Sequence, residues 1–227
     1  MENLEILLKT LKIKAHQIEL FETAFTHSSY NADAKTKHHD YERLEFLGDS
    51  YLGAVVSELA YKAHPDMAQG PLTKLKSALV STSSLAGYAR KLEFHKYIRV
   101  GNSFSNDVSK SDSLLEDVFE AFIGALFLDQ GYVVVRRFII SLIYSDIQAY
   151  KLQYSTDYKS RLQEEIQAEH RESVVYELIK EEGPSHDKIF TIQVKFDDMV
   201  LGVGKGPTKK KAEQEAAKAA LQKRVTK

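Results

Sequence analysis

The chain has 227 residues, 43% hydrophobic and 28% charged, the balance of a soluble folded protein with no sign of a fibre or of disorder. Cysteine is absent, which excludes disulfides, zinc–thiolate centres and cysteine nucleophiles. The net charge of −1 hides an asymmetry, because Lys205–Lys227 holds eight basic and two acidic residues while residues 1–154 carry −2.

The N-terminus carries Glu2 and Glu5 where a signal peptide would be basic. No apolar run reaches the roughly 20 residues needed to cross a bilayer, since Arg136 and Arg137 interrupt the best candidate, Tyr132–Tyr144. A cytoplasmic protein without membrane partners is expected.

Residues 1–150 read as helical nearly throughout, with apolar residues recurring at three- and four-residue intervals. Helices are predicted near 3–10, 16–26, 40–62, 71–90, 111–129 and 132–150. Breaks fall at 31–37, 64–66, 69–71 and 101–110, where Gly, Pro, Asn, Asp and Ser cluster. Residues 151–156 are polar and read as a linker. From Asp157 the texture changes. A helix is predicted over Asp157–His170, then strands over Ser173–Glu181, Lys188–Phe196 and Met199–Val203, and an alanine-rich helix over Pro207–Arg224. The expected fold is an all-α domain (1–150) followed by an α+β domain (157–227) of order α-β-β-β-α, with its helix pair on one face of an antiparallel sheet.

Two helices carry carboxylates among apolar residues. Glu42, Glu45 and Asp49 fall at i, i+3 and i+7, hence on one helical face, and Asp117 and Glu120 share a face of another. A lone Glu at such spacing is usually a solvated face or half of an ion pair. Glu120, however, sits inside the apolar run Val118–Leu128, and no Lys or Arg occurs from Ser111 to Tyr132. Buried carboxylates need partners or metal ions. Four of them on two facing helices would make a hard, oxygen-rich site of the kind that holds magnesium. A ferritin-like di-iron centre would need Glu-x-x-His motifs, and no Glu here is followed by His three residues later. The residues alone lead to a hard-metal site and no further.

The run Glu42-Arg43-Leu44-Glu45-Phe46-Leu47-Gly48-Asp49-Ser50 resembles the signature of the ribonuclease III family, unbroken over nine residues. Asp117-Val118-Phe119-Glu120-Ala121 resembles its second carboxylate motif, and Thr26-His27-Ser28-Ser29 a third segment. By motif position the resemblance implies Asp49 and Glu120 as catalytic residues and Glu45, Asp117 and Glu120 as ligands of Mg²⁺, with Mn²⁺ able to stand in. It implies no organic cofactor. One departure is visible: family members commonly carry Glu where this chain has Gln69. His27, beside Phe25, reads as a hydrogen-bonded core residue and is left out of the site.

The last 70 residues resemble a double-stranded RNA-binding domain, most clearly where Gly204-Lys205-Gly206-Pro207 precedes Thr208-Lys209-Lys210-Lys211. Three adjacent lysines are by themselves usually a solvated face. At the start of a helix they add to free N–H groups and a positive dipole, which suits phosphate. The resemblance assigns minor-groove contacts to Ser160, Gln163 and Glu164 and to Pro184, Ser185 and His186. It assigns phosphate contacts to Lys209, Lys210 and Lys211, and Thr208 beside them is counted among the RNA-binding residues.

The implied activity is endonucleolytic cutting of double-stranded RNA by a homodimer, leaving 5′-phosphate and 3′-hydroxyl ends with short 3′ overhangs, in rRNA and mRNA processing. Two rivals remain: a non-catalytic double-stranded RNA-binding protein, and a metal-dependent hydrolase of small phosphate esters. The complete carboxylate set argues against the first, and the duplex-sized C-terminal module against the second.

Overall fold

The computed structural model describes residues 3–33, 38–169, 173–184 and 187–225. The chain divides into two compact units, Met1–Gln148 and Ala149–Lys227.

The first unit is helical. It contains α1 (Leu4–Thr10), α2 (Ile18–Ala24), α3 (Tyr30–Asp33), α4 (Glu42–Ala63), α5 (Gln69–Leu79), α6 (Thr82–Lys91), α7 (Asp112–Gln130) and most of α8 (Tyr132–Thr156). Helix α7 is apolar on most sides and lies at the centre, packed against α4, α6 and α2. Phe122 of α7 meets Phe21, Phe25 and Phe94 at tilted or edge-on angles, with centroids 5.0–6.1 Å apart. At its other end α7 caps a neighbour. Gln17, which opens α2, makes no side-chain cap of its own. The enclosed Asp129 carboxylate instead accepts the backbone N–H groups of Gln17 at 2.7 Å and His16 at 3.0 Å. A buried anion thereby satisfies orphan donors at a positive helix end.

Before the sheet, the structure departs from the predicted elements in three places. The single helix expected over 71–90 is broken, because Ser81 turns extended (ψ 151°) and its hydroxyl accepts the Ser84 N–H to cap α6. The Ser81-Thr82-Ser83-Ser84 run was the available signal. The short α3 lies inside an expected break, and α8 continues through the polar residues 151–156 to Thr156.

In the second unit, α9 (Tyr158–Glu169) precedes β1 (Val175–Glu182), β2 (Ile189–Phe196) and β3 (Met199–Gly206), then α10 (Lys209–Val225). The sheet is antiparallel in the order β1-β2-β3. Strand β3 outruns its expected end at Val203, since Gly204, Lys205 and Gly206 pair with Ile192, Thr191 and Phe190. Leu162 and Ile166 of α9, Val194 of β2 and Ala216, Ala217 and Ala220 of α10 form the core. The small residues have a reason: a Cβ on Gly204 would stand 2.1 Å from the Ala216 nitrogen, so α10 rests almost directly on the strand. Among the described residues no helix is long and apolar enough to cross a membrane.

Candidate functional site

Tyr41 opens α4, and its carbonyl accepts the N–H groups of Leu44 and Glu45, both at 2.9 Å. Glu42 and Glu45 then occupy the first turn, where the helix dipole favours negative charge. One turn on, α4 crosses α7 at glycine. A Cβ on Gly48 would fall 1.7 Å from the Glu120 carbonyl oxygen, and one on Gly124 would fall 2.2 Å from that of Leu44. Only glycine at both positions permits this approach. It sets Glu45 and Asp49, which flank Gly48, against the α7 segment bearing Asp117 and Glu120.

The electrostatics register that proximity. Burial pushes the Glu120 carboxyl up to about 8, and the charges of Asp49, Glu116, Glu45 and Asp117 push the same way. Glu45 is raised by burial and then by Asp117 and Glu42. Asp117 is also raised by burial, against a hydrogen bond from Tyr41 and the nearby His27, which lower it. The structure thus brings all four expected carboxylates into one electrostatic neighbourhood. Among the described residues, no three His, Asp or Glu side chains are already gathered closely enough to hold an ion. The set is joined by charge rather than closed around a point. Oxygen-only donors with unrelieved mutual repulsion fit a hard divalent cation.

Three further residues belong to this neighbourhood: Glu116 and Tyr41, which were missed in the sequence, and His27, which was set aside there as a hydrogen-bonded core residue. Glu116 acts on both Glu120 and Glu45 and is itself hydrogen-bonded by Thr82. Its position one turn before Glu120 was the signal. The Tyr41 hydroxyl donates to Asp117 Oδ2 at 2.9 Å. The His27 ring lies between Tyr41 and Phe104, with centroids 5.7 and 5.2 Å away, and its Nδ1 accepts the Ser29 N–H at 3.0 Å. No sequence pattern announced the Tyr41 contact, whereas His27 and Ser29 stand together in the Thr26–Ser29 segment. Gln69 opens α5 and lines a groove with Tyr61, Met67, Leu72 and Lys76, to which none of the four carboxylates contributes.

In the second unit, Thr208 caps α10 by accepting the Lys211 N–H at 3.2 Å, and Lys209, Lys210 and Lys211 are exposed around that helix start. Ser160 is exposed on α9, but its hydroxyl donates to Asp157 at 2.7 Å. Gln163 is half-buried, and its side-chain nitrogen has no hydrogen-bond partner among the described residues. Glu164 is half-buried on the same helix. Pro184 is exposed after Gly183, whose φ of +97° turns the chain between β1 and β2. Ser185 and His186 lie outside the described residues.

A helical unit with a charge-coupled carboxylate set, followed by an α-β-β-β-α unit with a lysine-led helix, defines a two-domain nucleic-acid-processing protein. Residues 17–147 match the ribonuclease-III-like family model, and residues 158–224 the double-stranded RNA binding motif. Ribonuclease 3 of Latilactobacillus sakei is 44% identical over 92% of both chains, and Ribonuclease 3 of Streptococcus pneumoniae is 41% identical over 98% of this chain and 97% of its own. Among solved structures, the ribonuclease III nuclease domain of Campylobacter jejuni, described for flexibility in a region involved in dimer formation, is 33% identical. It superposes with a TM-score of 0.58, covering 63% of this chain and 97% of its own. The chain belongs to the ribonuclease III family.

Proposed function

We propose that this protein is an endoribonuclease that cuts double-stranded RNA, using the carboxylates of α4 and α7 for chemistry and the second unit to hold the duplex. The observation that carries this reading is the coupling of Asp49 and Glu120 across the glycine crossing, in a chain that also carries a duplex-RNA module.

Glu45, Asp117 and Glu120 would hold Mg²⁺, or Mn²⁺ in its place. When bound, the ion neutralises charge on the scissile phosphate and makes water acidic enough to attack. The remaining work falls to the protein. The α4–α7 crossing fixes the spacing of the carboxylates, and Asp49 and Glu120 manage the proton of the attacking water. Water adds in line at phosphorus and the bond to the 3′ oxygen breaks, giving a 5′-phosphate and, once the leaving oxygen is protonated, a 3′-hydroxyl. Residues 151–156 connect the nuclease domain (1–150) to the RNA-binding domain (157–227).

One carboxylate set serves one strand, so cutting both strands calls for a second copy related by a two-fold axis. The surface that fits it surrounds Phe46, which is 78% exposed on the signature helix, in a groove shared with Leu20, Leu44, Leu47 and Leu128. A solvent-facing phenylalanine beside exposed leucine is an apolar patch in search of cover. Staggered cuts by two such copies leave short 3′ overhangs. The cellular role we propose is processing of rRNA and mRNA precursors in the cytoplasm, in keeping with family membership.

The test is direct. Purified protein incubated with long duplex RNA and Mg²⁺ should release short duplexes with 5′-phosphates, and chelation by EDTA should stop the cutting until Mg²⁺ is restored. Tight duplex binding with no cutting at any Mg²⁺ concentration would establish the non-catalytic reading instead.

The RNA grip has its own test. Minor-groove contacts are proposed for Ser160, Gln163, Glu164 and the Pro184–His186 turn, and phosphate contacts for Thr208 and the three lysines. Lys209→Ala with Lys210→Ala should weaken duplex binding and reduce the slope of log Kd against log salt by about two, near one per lost phosphate contact. An unchanged slope would show that both lysines face only solvent.

A further inference from the structure

We infer that Tyr41 is a positioning residue of the nuclease site: its hydroxyl, fixed from behind by the His27–Ser29–Phe104 wall, restrains the Asp117 carboxylate so that less freedom remains to be lost when a cation binds. The inference rests on the metal reading above.

Four observations constrain Tyr41. It is only 6% exposed although it stands at a helix start, where side chains are normally free. Its backbone is tied on both sides: the N–H donates to the Thr26 carbonyl at 3.0 Å, and the carbonyl receives Leu44 and Glu45. Its ring packs on His27. His27 in turn is tied by the Ser29 hydroxyl at 2.7 Å, which itself accepts the Gly101 N–H at 3.0 Å, and is braced by Phe104. A ring held this way carries its hydroxyl to one place, and that place is Asp117 Oδ2 at 2.9 Å.

The physical consequence concerns a short carboxylate near like charges. Asp117 can turn about two bonds, and Glu45 carries like charge nearby. One fixed donor on one oxygen removes that freedom without adding a positive charge that would compete with a cation. Partners standing behind metal ligands typically contribute 10- to 100-fold in metal affinity. The same wall gives the Thr26–Ser29 segment a purpose: it braces the residue that braces a ligand.

The experiment is Mn²⁺ binding by the full-length protein without RNA, followed by electron paramagnetic resonance of the free ion. Parent, Tyr41→Phe, Asp117→Asn and Tyr88→Phe are compared. Tyr88→Phe is the control, because it removes another buried phenol hydroxyl, one that donates to Asp146 at 2.6 Å, outside the carboxylate set. Tyr41→Phe should raise the Mn²⁺ dissociation constant about tenfold, Asp117→Asn at least as much, and Tyr88→Phe not at all. In duplex cutting, Tyr41→Phe should need proportionally more Mn²⁺ for half-maximal rate, yet approach the parental kcat once saturated. If Asp117→Asn weakens binding but Tyr41→Phe does not, the Tyr41 inference fails alone. It fails equally if Tyr88→Phe weakens binding as much as Tyr41→Phe, which would mark a general loosening. If neither Asp117→Asn nor Tyr41→Phe changes Mn²⁺ binding, the metal reading falls with it.

Discussion

Glu120→Gln should bind duplex RNA like the parent and cut it about a thousandfold more slowly, the several kcal/mol that a catalytic metal site supplies. The fold should tolerate the change. Glutamine has the shape of a protonated glutamate, and burial and four carboxylate neighbours already favour the protonated form, holding the carboxyl near 8. A carboxyl raised from 4.5 to about 8 in the folded state penalises the cation-free fold progressively as pH climbs through that window. The Glu120→Gln variant carries no such penalty, so without divalent ions its melting temperature at pH 8 should equal or exceed the parent's. Rates of cutting within tenfold of the parent, measured at saturating Mg²⁺, would remove Glu120 from the mechanism.

Phe46→Asp should turn the proposed dimer into monomers while leaving each monomer folded. Phe46 is 78% exposed in the single chain, so its replacement removes almost nothing from the monomer's core. In a two-fold interface each copy contributes one such ring. Burying a phenylalanine is worth roughly 2 kcal/mol, so losing two weakens association by about a thousandfold before the new charges are considered. Sedimentation velocity at micromolar concentration should show the shift, and far-UV circular dichroism an unchanged spectrum. Persistence of the dimer would move the interface elsewhere.

The two-domain architecture was readable because each half has its own periodicity: three-to-four spacing before residue 150, and alternation such as Phe190/Ile192/Val194/Phe196 after it. The carboxylates were readable because Glu120 interrupts an apolar run, a costly arrangement unless chemistry requires it. What lay hidden was contact between distant segments. Seventy-six residues separate Tyr41 from Asp117, and no local pattern joins a phenol at a helix start to an aspartate on another helix. The interruption at Ser81 was masked by helix-compatible residues on both sides, where one hydroxyl cap outweighed propensity. Gly204–Gly206 lay beyond the expected end of the third strand yet belongs to β3, because glycine there serves the close approach of α10, which sequence spacing does not express.

The meeting of Gly48 and Gly124 makes the separation of the two acidic helices a property of main chain touching main chain. Repacking the aromatic core elsewhere cannot tune that gap, since no side chain stands in it to be lengthened or trimmed. Anyone wishing to part the two acidic helices has two dials, and each moves by no less than a methyl group. On the proposed metal reading, ion size would be decided by that backbone geometry, ahead of any rotamer a carboxylate adopts.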